Sequence, residues 1–149
     1  MEDKKYTVFL TGGTGIMGQA VLSELSHHLN LINLRLLIYK REIPSSISSI
    51  LKNNKSSIEI IYGDLRDYET ILKCITGADY ILHVGGMVSP YADPFPYETQ
   101  EINIGSMKNI CKAVLAQENK DLIKVVLIGQ YLKLVVEIIL IILEELVIL

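Results

Sequence analysis

The sequence predicts an α/β fold, a doubly wound parallel sheet with helices on both faces in three layers. Three observations carry this. Five short apolar runs alternate with stretches of helical periodicity. The runs are apolar at nearly every position, as strands covered on both faces must be. A glycine-spaced turn joins the first run to the first helix.

Tyr6 to Leu10 is a short β-rich run closed by Thr-Gly-Gly. From Ile16 to Leu29, the residues Ile16, Ala20, Val21, Leu25 and Leu29 recur at helical spacing. Leu34 to Tyr39 is the second strand. Pro44 and Ser45 to Ser49 open a helix that ends near Asn53-Asn54. Ile58 to Tyr62 is the third strand, closed by Gly63-Asp64. Asp67 can cap a helix running through Cys74, and Gly77 ends it. Tyr80 to Val84 is the fourth strand, followed by Gly85-Gly86 and a loop from Ser89 to Pro96 with three prolines. A long helix fits Thr99 to Gln117, with Ile102, Met107, Ile110, Cys111, Val114 and Leu115 as its expected buried face. Ile123 to Ile128 is the fifth strand. No repeat or linker divides the chain. The expected organisation is one domain over residues 1–130 and an apolar tail over 131–149.

Composition narrows the function classes. A chain of 149 residues suits one domain, and 50% hydrophobic with 21% charged residues is not the make-up of a disordered segment. With a net charge of −3 and scattered basic residues, no nucleic-acid partner is expected. Cys74 and Cys111 lie in apolar contexts without ligand-like spacing, which predicts reduced core residues and no metal. Met1-Glu2-Asp3-Lys4-Lys5 is charged and leads straight into a strand, so a cytoplasmic protein is expected. Asp79 is placed in the turn entering the fourth strand. His27 and His28 fall near a helix C-terminus, where positive charge is favoured. His83, at a strand end, reads equally as a neighbour of a ligand or as a histidine satisfied by backbone.

The chemistry-bearing motif is Thr11-Gly12-Gly13-Thr14-Gly15-Ile16-Met17-Gly18. Gly12 permits the tight turn, Gly15 lets backbone approach a pyrophosphate, and Gly18 lets the helix pack closely. The free N–H groups and dipole at the helix start favour phosphate charge. A preceding strand, a following helix and the βαβ length make this the Rossmann dinucleotide fingerprint.

On these residues the chain resembles the extended short-chain dehydrogenase/reductase superfamily, which includes NAD(P)-dependent epimerases, dehydratases and 3β-hydroxysteroid dehydrogenases. The T-G-x-x-G-x-x-G spacing is that superfamily's version of the fingerprint. Gly63-Asp64-Leu65 resembles its G-D-[LI] motif, which implies that Asp64, with Leu65, meets the adenine. His83-Val84-Gly85-Gly86-Met87-Val88-Ser89 resembles its H-x-A-A segment, which implies that Val84, Gly85 and Gly86 line the cofactor. Asn103 in Ile102-Asn103-Ile104-Gly105-Ser106 resembles its V-N-V-x-G-T helix motif. The four motifs stand in order between residue 6 and about residue 128. The implied partner is a dinucleotide. Where NAD-preferring members carry an acid after the second strand, this chain has Tyr39-Lys40-Arg41. Lys40 or Arg41 can pair with a 2′-phosphate, which leans toward NADP over NAD.

The resemblance also implies a serine after the fifth strand and a Tyr-x-x-x-Lys pair on the next helix. Here Gln130 stands where the serine would fall, Tyr131-Leu132-Lys133 has the wrong spacing, and no later tyrosine occurs. No catalytic residue is therefore assigned, and the chain reads as the N-terminal part of such an enzyme, inactive as written. A non-enzymatic NADP-binding sensor or interaction module is the second reading. A peripheral membrane protein anchored by the tail is the third. As a span, residues 132–149 are short and carry Lys133, Glu137, Glu144 and Glu145. A sheet that stops after its fifth strand leaves an edge that is expected to drive self-association. Back-translated and read one base out of register, residues 129–149 permit S-V-S-Q-T-G-G-R-N-H-P-N-H-F-G-R-T-G-D-P. This string resembles the segment after the fifth strand in one branch of the superfamily, so a frameshift there is expected. In the restored frame a small-molecule substrate would become a partner. Resequencing the gene and transcript across the codons for Gly129 and Gln130 should reveal a lost or gained base, with the serine and Tyr-x-x-x-Lys restored; an unbroken frame would contradict the frameshift.

Overall fold

The computed structural model describes residues 5–39 and 43–127. The tail over 131–149, Ile128, Gln130, Lys40 and Arg41 lie outside the described residues. Within them, β1 (Tyr6–Thr11), β2 (Ile32–Ile38), β3 (Ile58–Tyr62), β4 (Tyr80–His83) and β5 (Lys124–Leu127) form one sheet in the order β3-β2-β1-β4-β5. Every pairing is parallel. The order reverses at β1: the chain steps outward to β2 and β3, then returns to place β4 on the other side. In open parallel sheets, ligands bind outside the carboxyl ends of the strands at such a reversal. The register Thr11↔Leu37 and Thr11↔His83 brings the carboxyl ends of β1, β2 and β4 level.

Strand residues alternate between two apolar clusters, which is why the strands read as continuous hydrophobic runs. Val8 and Leu10 of β1, Leu34 and Leu36 of β2 and Leu82 of β4 face α1 (Ile16–Ser26) and α2 (Ser45–Asn53), meeting Val21, Leu22, Leu25, Ile47 and Leu51. Phe9, Leu37 and Ile81 point the other way, toward α3 (Tyr68–Ile75) and α5 (Ser106–Leu115), meeting Ile71, Cys74, Ile75, Ile110 and Ala113. Arg35, half-way along β2, donates to the carbonyls of Cys74 and Thr76 at 2.6 and 2.9 Å and to Glu59 at 2.8 Å. Its charge thereby sits at the carboxyl end of α3, where the helix dipole favours a cation. Asp67 caps α3 through its side chain, and Gly77 follows the helix at φ +74°. Asp79 accepts from the Thr7 amide at 2.8 Å, tying the turn before β4 to β1.

Four expectations need correction. Helix α1 ends at Ser26, with His27 as its C-cap, rather than running to Leu29. Ile16 is 88% exposed, because it is the first helical residue and stands at the sheet edge beyond the core. The predicted helix 99–117 begins as α4 (Pro96–Gln100), passes through a π turn at Glu101–Gly105 and continues as α5. A π turn adds a residue, rotating the later part of the helix by about 100°. Helix α5 then buries Ser106, Ile110 and Ala113, leaving Cys111 exposed and Leu115 69% exposed. Cys111 is thus a surface thiol, whereas Cys74 is buried as expected.

Candidate functional site

The glycine turn sits at the carboxyl end of β1, against the turn that follows β4. Gly12 has φ +73°, and a Cβ placed on it would lie 2.5 Å from the Gly85 amide nitrogen and 2.6 Å from its Cα. Both the dihedral and the neighbour require glycine. A Cβ on Gly18 would lie 1.9 Å from the Gly12 carbonyl oxygen, so this glycine seats α1 on its own turn rather than on the sheet. Gly13 is buried, and a Cβ there would meet a Leu36 methyl at 2.5 Å. Sequence reasoning did not single it out.

Gly15 differs. A Cβ there would meet only the Gly12 carbonyl, at an ordinary 3.4 Å. Among the described residues, nothing else fills the space above it. It is the N-cap of α1, no side chain caps it, and the first turn holds no acidic residue. The amides of Ile16, Met17 and Gly18 open this helix and form a cradle suited to an anion. The shape is held from below. The Gly15 amide donates to the Gly12 carbonyl at 3.0 Å, and Gln19 donates to the Thr14 carbonyl at 2.9 Å while accepting from Ser46 of α2 at 2.6 Å.

The floor of the cleft is polar and buried. Thr11, His83 and Ser106 are buried, yet each has a partner. The Gly85 amide donates to Thr11 Oγ1 at 3.0 Å, and Thr11 Oγ1 lies 2.7 Å from His83 Nδ1. His83 Nε2 lies 3.2 Å from Ser106 Oγ, whose hydroxyl donates to the Asn103 carbonyl at 3.3 Å. His83 is therefore satisfied by two hydroxyl side chains and not by backbone. Burial lowers its pKa from 6.5 to about 4, so the ring is neutral. Asn103 faces the loop after β4: its Oδ1 accepts from the Met87 amide and its Nδ2 donates to the Met87 carbonyl, both at 2.8 Å. A Cβ on Gly86 would lie 2.9 Å from that Asn103 Oδ1. Val84 packs half-buried against the core, between this loop and the sheet.

On the β3 side, the site carries its charge. Asp64 follows β3 and receives Arg66 in a fork: Nη2 at 2.6 Å from Oδ2 and Nε at 3.0 Å from Oδ1. The guanidinium holds the Asp64 carboxyl below its usual range and is itself raised by that carboxylate. Glu98 of α4 approaches Arg66 at 3.9 Å. Leu65 reaches toward Gly85, its Cδ1 2.9 Å from where a Gly85 Cβ would stand, while Asn109 of α5 donates to its carbonyl at 3.1 Å. Tyr39, just past β2, is 49% exposed. The Ser89–Pro96 loop presents Tyr91 and Phe95 to solvent, with Tyr97 beyond it. The structure thus gathers the glycine turn, Val84 to Gly86, Asn103, Asp64 and Leu65 around one edge. Arg66 and Gln19 were not singled out in the sequence, and Thr11 and Ser106 entered only as members of motifs, because neither a surface arginine nor a hydroxyl or amide side chain carries a spacing signal of its own. Among the described residues no cluster of His, Cys, Asp or Glu is placed to hold a metal ion, and no helix is long and apolar enough to cross a membrane.

A five-stranded parallel sheet with a glycine-rich β1–α1 turn at its order reversal defines a Rossmann-type nucleotide-binding architecture. The chain belongs to the 3-beta hydroxysteroid dehydrogenase/isomerase family, whose profile matches residues 9–127. It is 29% identical over 126 residues to UDP-glucose 4-epimerase of Rickettsia prowazekii (strain Madrid E), an alignment covering 83% of this chain and 36% of that protein. The chain thus spans little more than a third of that relative. Among solved structures, Pen from Bacillus thuringiensis superposes with a TM-score of 0.67 at 25% identity, over 85% of this chain and 38% of that one. UDP-glucose 4-epimerase from Bifidobacterium longum, in complex with NAD+ and UDP, shares the fold with a TM-score of 0.67 at 16% identity, over 83% of this chain and 37% of that one.

The neutral histidine sets a pH dependence. Unfolded, its imidazole titrates near 6.5; folded, near 4. Between these values the unfolded chain binds a proton that the folded chain excludes. Stability is therefore steady above pH 6.5 and falls as pH drops toward 4, by up to about 3 kcal/mol. Asp64, with its lowered pKa, adds to the loss only below 3.8. Urea midpoints should fall between pH 7 and 4.5 in the parent chain and fall less in His83→Phe; parallel profiles would contradict a neutral buried His83.

Proposed function

We propose that the carboxyl edge of this sheet binds a nicotinamide adenine dinucleotide, NADP in preference to NAD. On this reading the chain is the nucleotide-binding part of an NAD(P)-dependent epimerase/dehydratase or oxidoreductase. The observation that carries it is the contrast among the glycines. Gly12 and Gly18 are forced by protein atoms within 3 Å, whereas Gly15 has open space above it and an uncapped helix beneath. A small residue with no neighbour but its own turn's carbonyl, at a helix N-terminus, is the arrangement a pyrophosphate needs.

The amides of Thr14, Ile16, Met17 and Gly18 would hold the two phosphates, with Gly12 and Gly15 shaping the turn that presents them. Tyr39, Lys40 and Arg41 would face the adenosine ribose, where the two cations favour a 2′-phosphate. Asp64 and Leu65 would meet the adenine; Val84, Gly85 and Gly86 would back the dinucleotide, and Asn103 would hold the Met87 segment beside it. A bound nicotinamide supplies a site that takes up and returns hydride. The chain's own residues bind and orient it. The cofactor class is supported by the Bifidobacterium longum UDP-glucose 4-epimerase in complex with NAD+ and UDP and by a uronate dehydrogenase variant from Agrobacterium tumefaciens complexed with NAD. Exposed Val125 and Leu127 on β5 support association of copies along that edge; a monomer in sedimentation at micromolar concentration would exclude it.

Calorimetric titration with NADP and NAD tests the reading. Gly15→Ala should keep the fold within about 0.5 kcal/mol yet weaken binding about tenfold or more. Gly18→Ala should cost about 3 kcal/mol of stability. Replacing Lys40 and Arg41 by Ala should erase the NADP preference. A folded parent chain that binds neither dinucleotide would overturn the proposal.

A further inference from the structure

Beneath the cleft, five groups are joined in one line: the Gly85 amide, Thr11, His83, Ser106 and the Asn103 carbonyl. Its two ends are fixed in direction. The Gly85 N–H can only donate, so Thr11 Oγ1 accepts there. The Asn103 carbonyl can only accept, so the Ser106 hydroxyl donates there. The Thr11 proton is then free to point at His83 Nδ1, and Ser106 Oγ is left to accept from Nε2. One tautomer satisfies every member: Nδ1 bare, Nε2 protonated. With the proton on Nδ1 instead, Thr11 Oγ1 would accept from both the Gly85 amide and the ring and leave its own proton without a partner in the line, and Ser106 would have to turn from the Asn103 carbonyl to Nε2.

We infer that His83, locked as this tautomer, is a positioning residue that fixes the glycine turn after β1, the Gly85–Met87 segment and helix α5 relative to one another. The line spans three elements. Thr11 belongs to β1 and precedes Gly12; Ser106 opens α5; Asn103, one turn earlier, clasps Met87 through both amide atoms. Gly85 is held at the β1 end by its amide, and Met87 at the α5 end. The imidazole is the one member long enough to reach both hydroxyls, across 2.7 and 3.2 Å.

The consequence for the cleft is acid sensitivity. A protonated ring donates from both nitrogens: Nδ1–H turns to Thr11 Oγ1, which then accepts from the ring as well as from the Gly85 amide and is left with its own proton unpartnered beside the glycine turn. The groups facing the ring are the Thr11 hydroxyl from β1 and the Ser106 hydroxyl from α5. Of the charged side chains on the neighbouring elements, Lys112 of α5 lies over the Tyr68 ring and Lys124 of β5 near the Tyr80 ring. Among the described residues no charge shifts His83; its surroundings oppose protonation by burial alone.

Nitrogen-15 NMR of the imidazole, on the full chain without ligand, tests the tautomer directly. The expected result at pH 7 is Nε2–H with Nδ1 unprotonated; the opposite tautomer, a mixture or a charged ring overturns the proposal. Binding provides the second readout and rests on the dinucleotide reading above. His83→Asn keeps an acceptor for Thr11, and His83→Gln keeps a donor for Ser106. Each should weaken dinucleotide affinity several-fold, and His83→Phe about tenfold. Parent affinity should hold from pH 7 to about 5 and fall as pH drops through about 4, whereas His83→Phe should show a flatter profile. Unchanged affinity and slope in a folded His83→Phe would overturn the positioning role. Absence of binding by the parent chain would instead count against the dinucleotide reading, with the tautomer still decided by NMR.

Discussion

Two backbone turns touch at the point where the strand order reverses, and much of the molecule is arranged to let them. Gly12 stands so close to Gly85 that no side chain fits between them. That approach requires β1 and β4 to be neighbours with level ends, which the register Thr11↔His83 provides. It also requires α1 to start directly over the turn, which Gly18 allows by lying against the Gly12 carbonyl. Side chains at either position would push the helix or the β4 loop outward and close the cleft from within. The apolar clusters on both faces hold the strands in this register, and the contact is the geometric result.

Around that contact the polar groups divide by depth. Those below are neutral, buried and satisfied: Thr11, His83 and Ser106. Those at the rim are charged and wetter: Asp64, Arg66 and Glu98. A neutral floor fits burial, since an ion there would need a partner that none of the described residues supplies. The charged rim is a surface network whose value lies in orientation more than in energy, because water screens it. Arg66 fixes the rotamer of Asp64 from two nitrogens and connects the loop after β3 with α4.

Much of this architecture was legible from residue order. Strands covered on both faces must be apolar throughout, so Tyr6–Thr11, Ile58–Tyr62 and Tyr80–His83 announced themselves within a residue or so. Gly12 and Gly77 were legible because positive φ selects glycine. The helix after β4 was less so. Its apolar periodicity runs on from 102 to 115, but the π turn rotates the stripe and turns Cys111 and Leu115 outward. Nothing in the side chains encodes that extra residue. The floor network was illegible for another reason: Thr11 and Ser106 stand 72 and 23 positions from His83 in the chain and meet it only through β1–β4 pairing and the docking of α5. Gly13 escaped notice because its constraint is a Leu36 methyl on the neighbouring strand.

The function of this edge turns on whether the open space over Gly15 and the amides opening α1 receive a dinucleotide. Amide proton–nitrogen NMR during titration with NADP locates the ligand without relying on turnover. The largest shifts should fall on Gly15 to Gly18 and on Gly85 to Met87, with smaller ones at Asp64 and Leu65. Shifts confined to α2, or spread evenly over the surface, would contradict a dinucleotide seated at this turn.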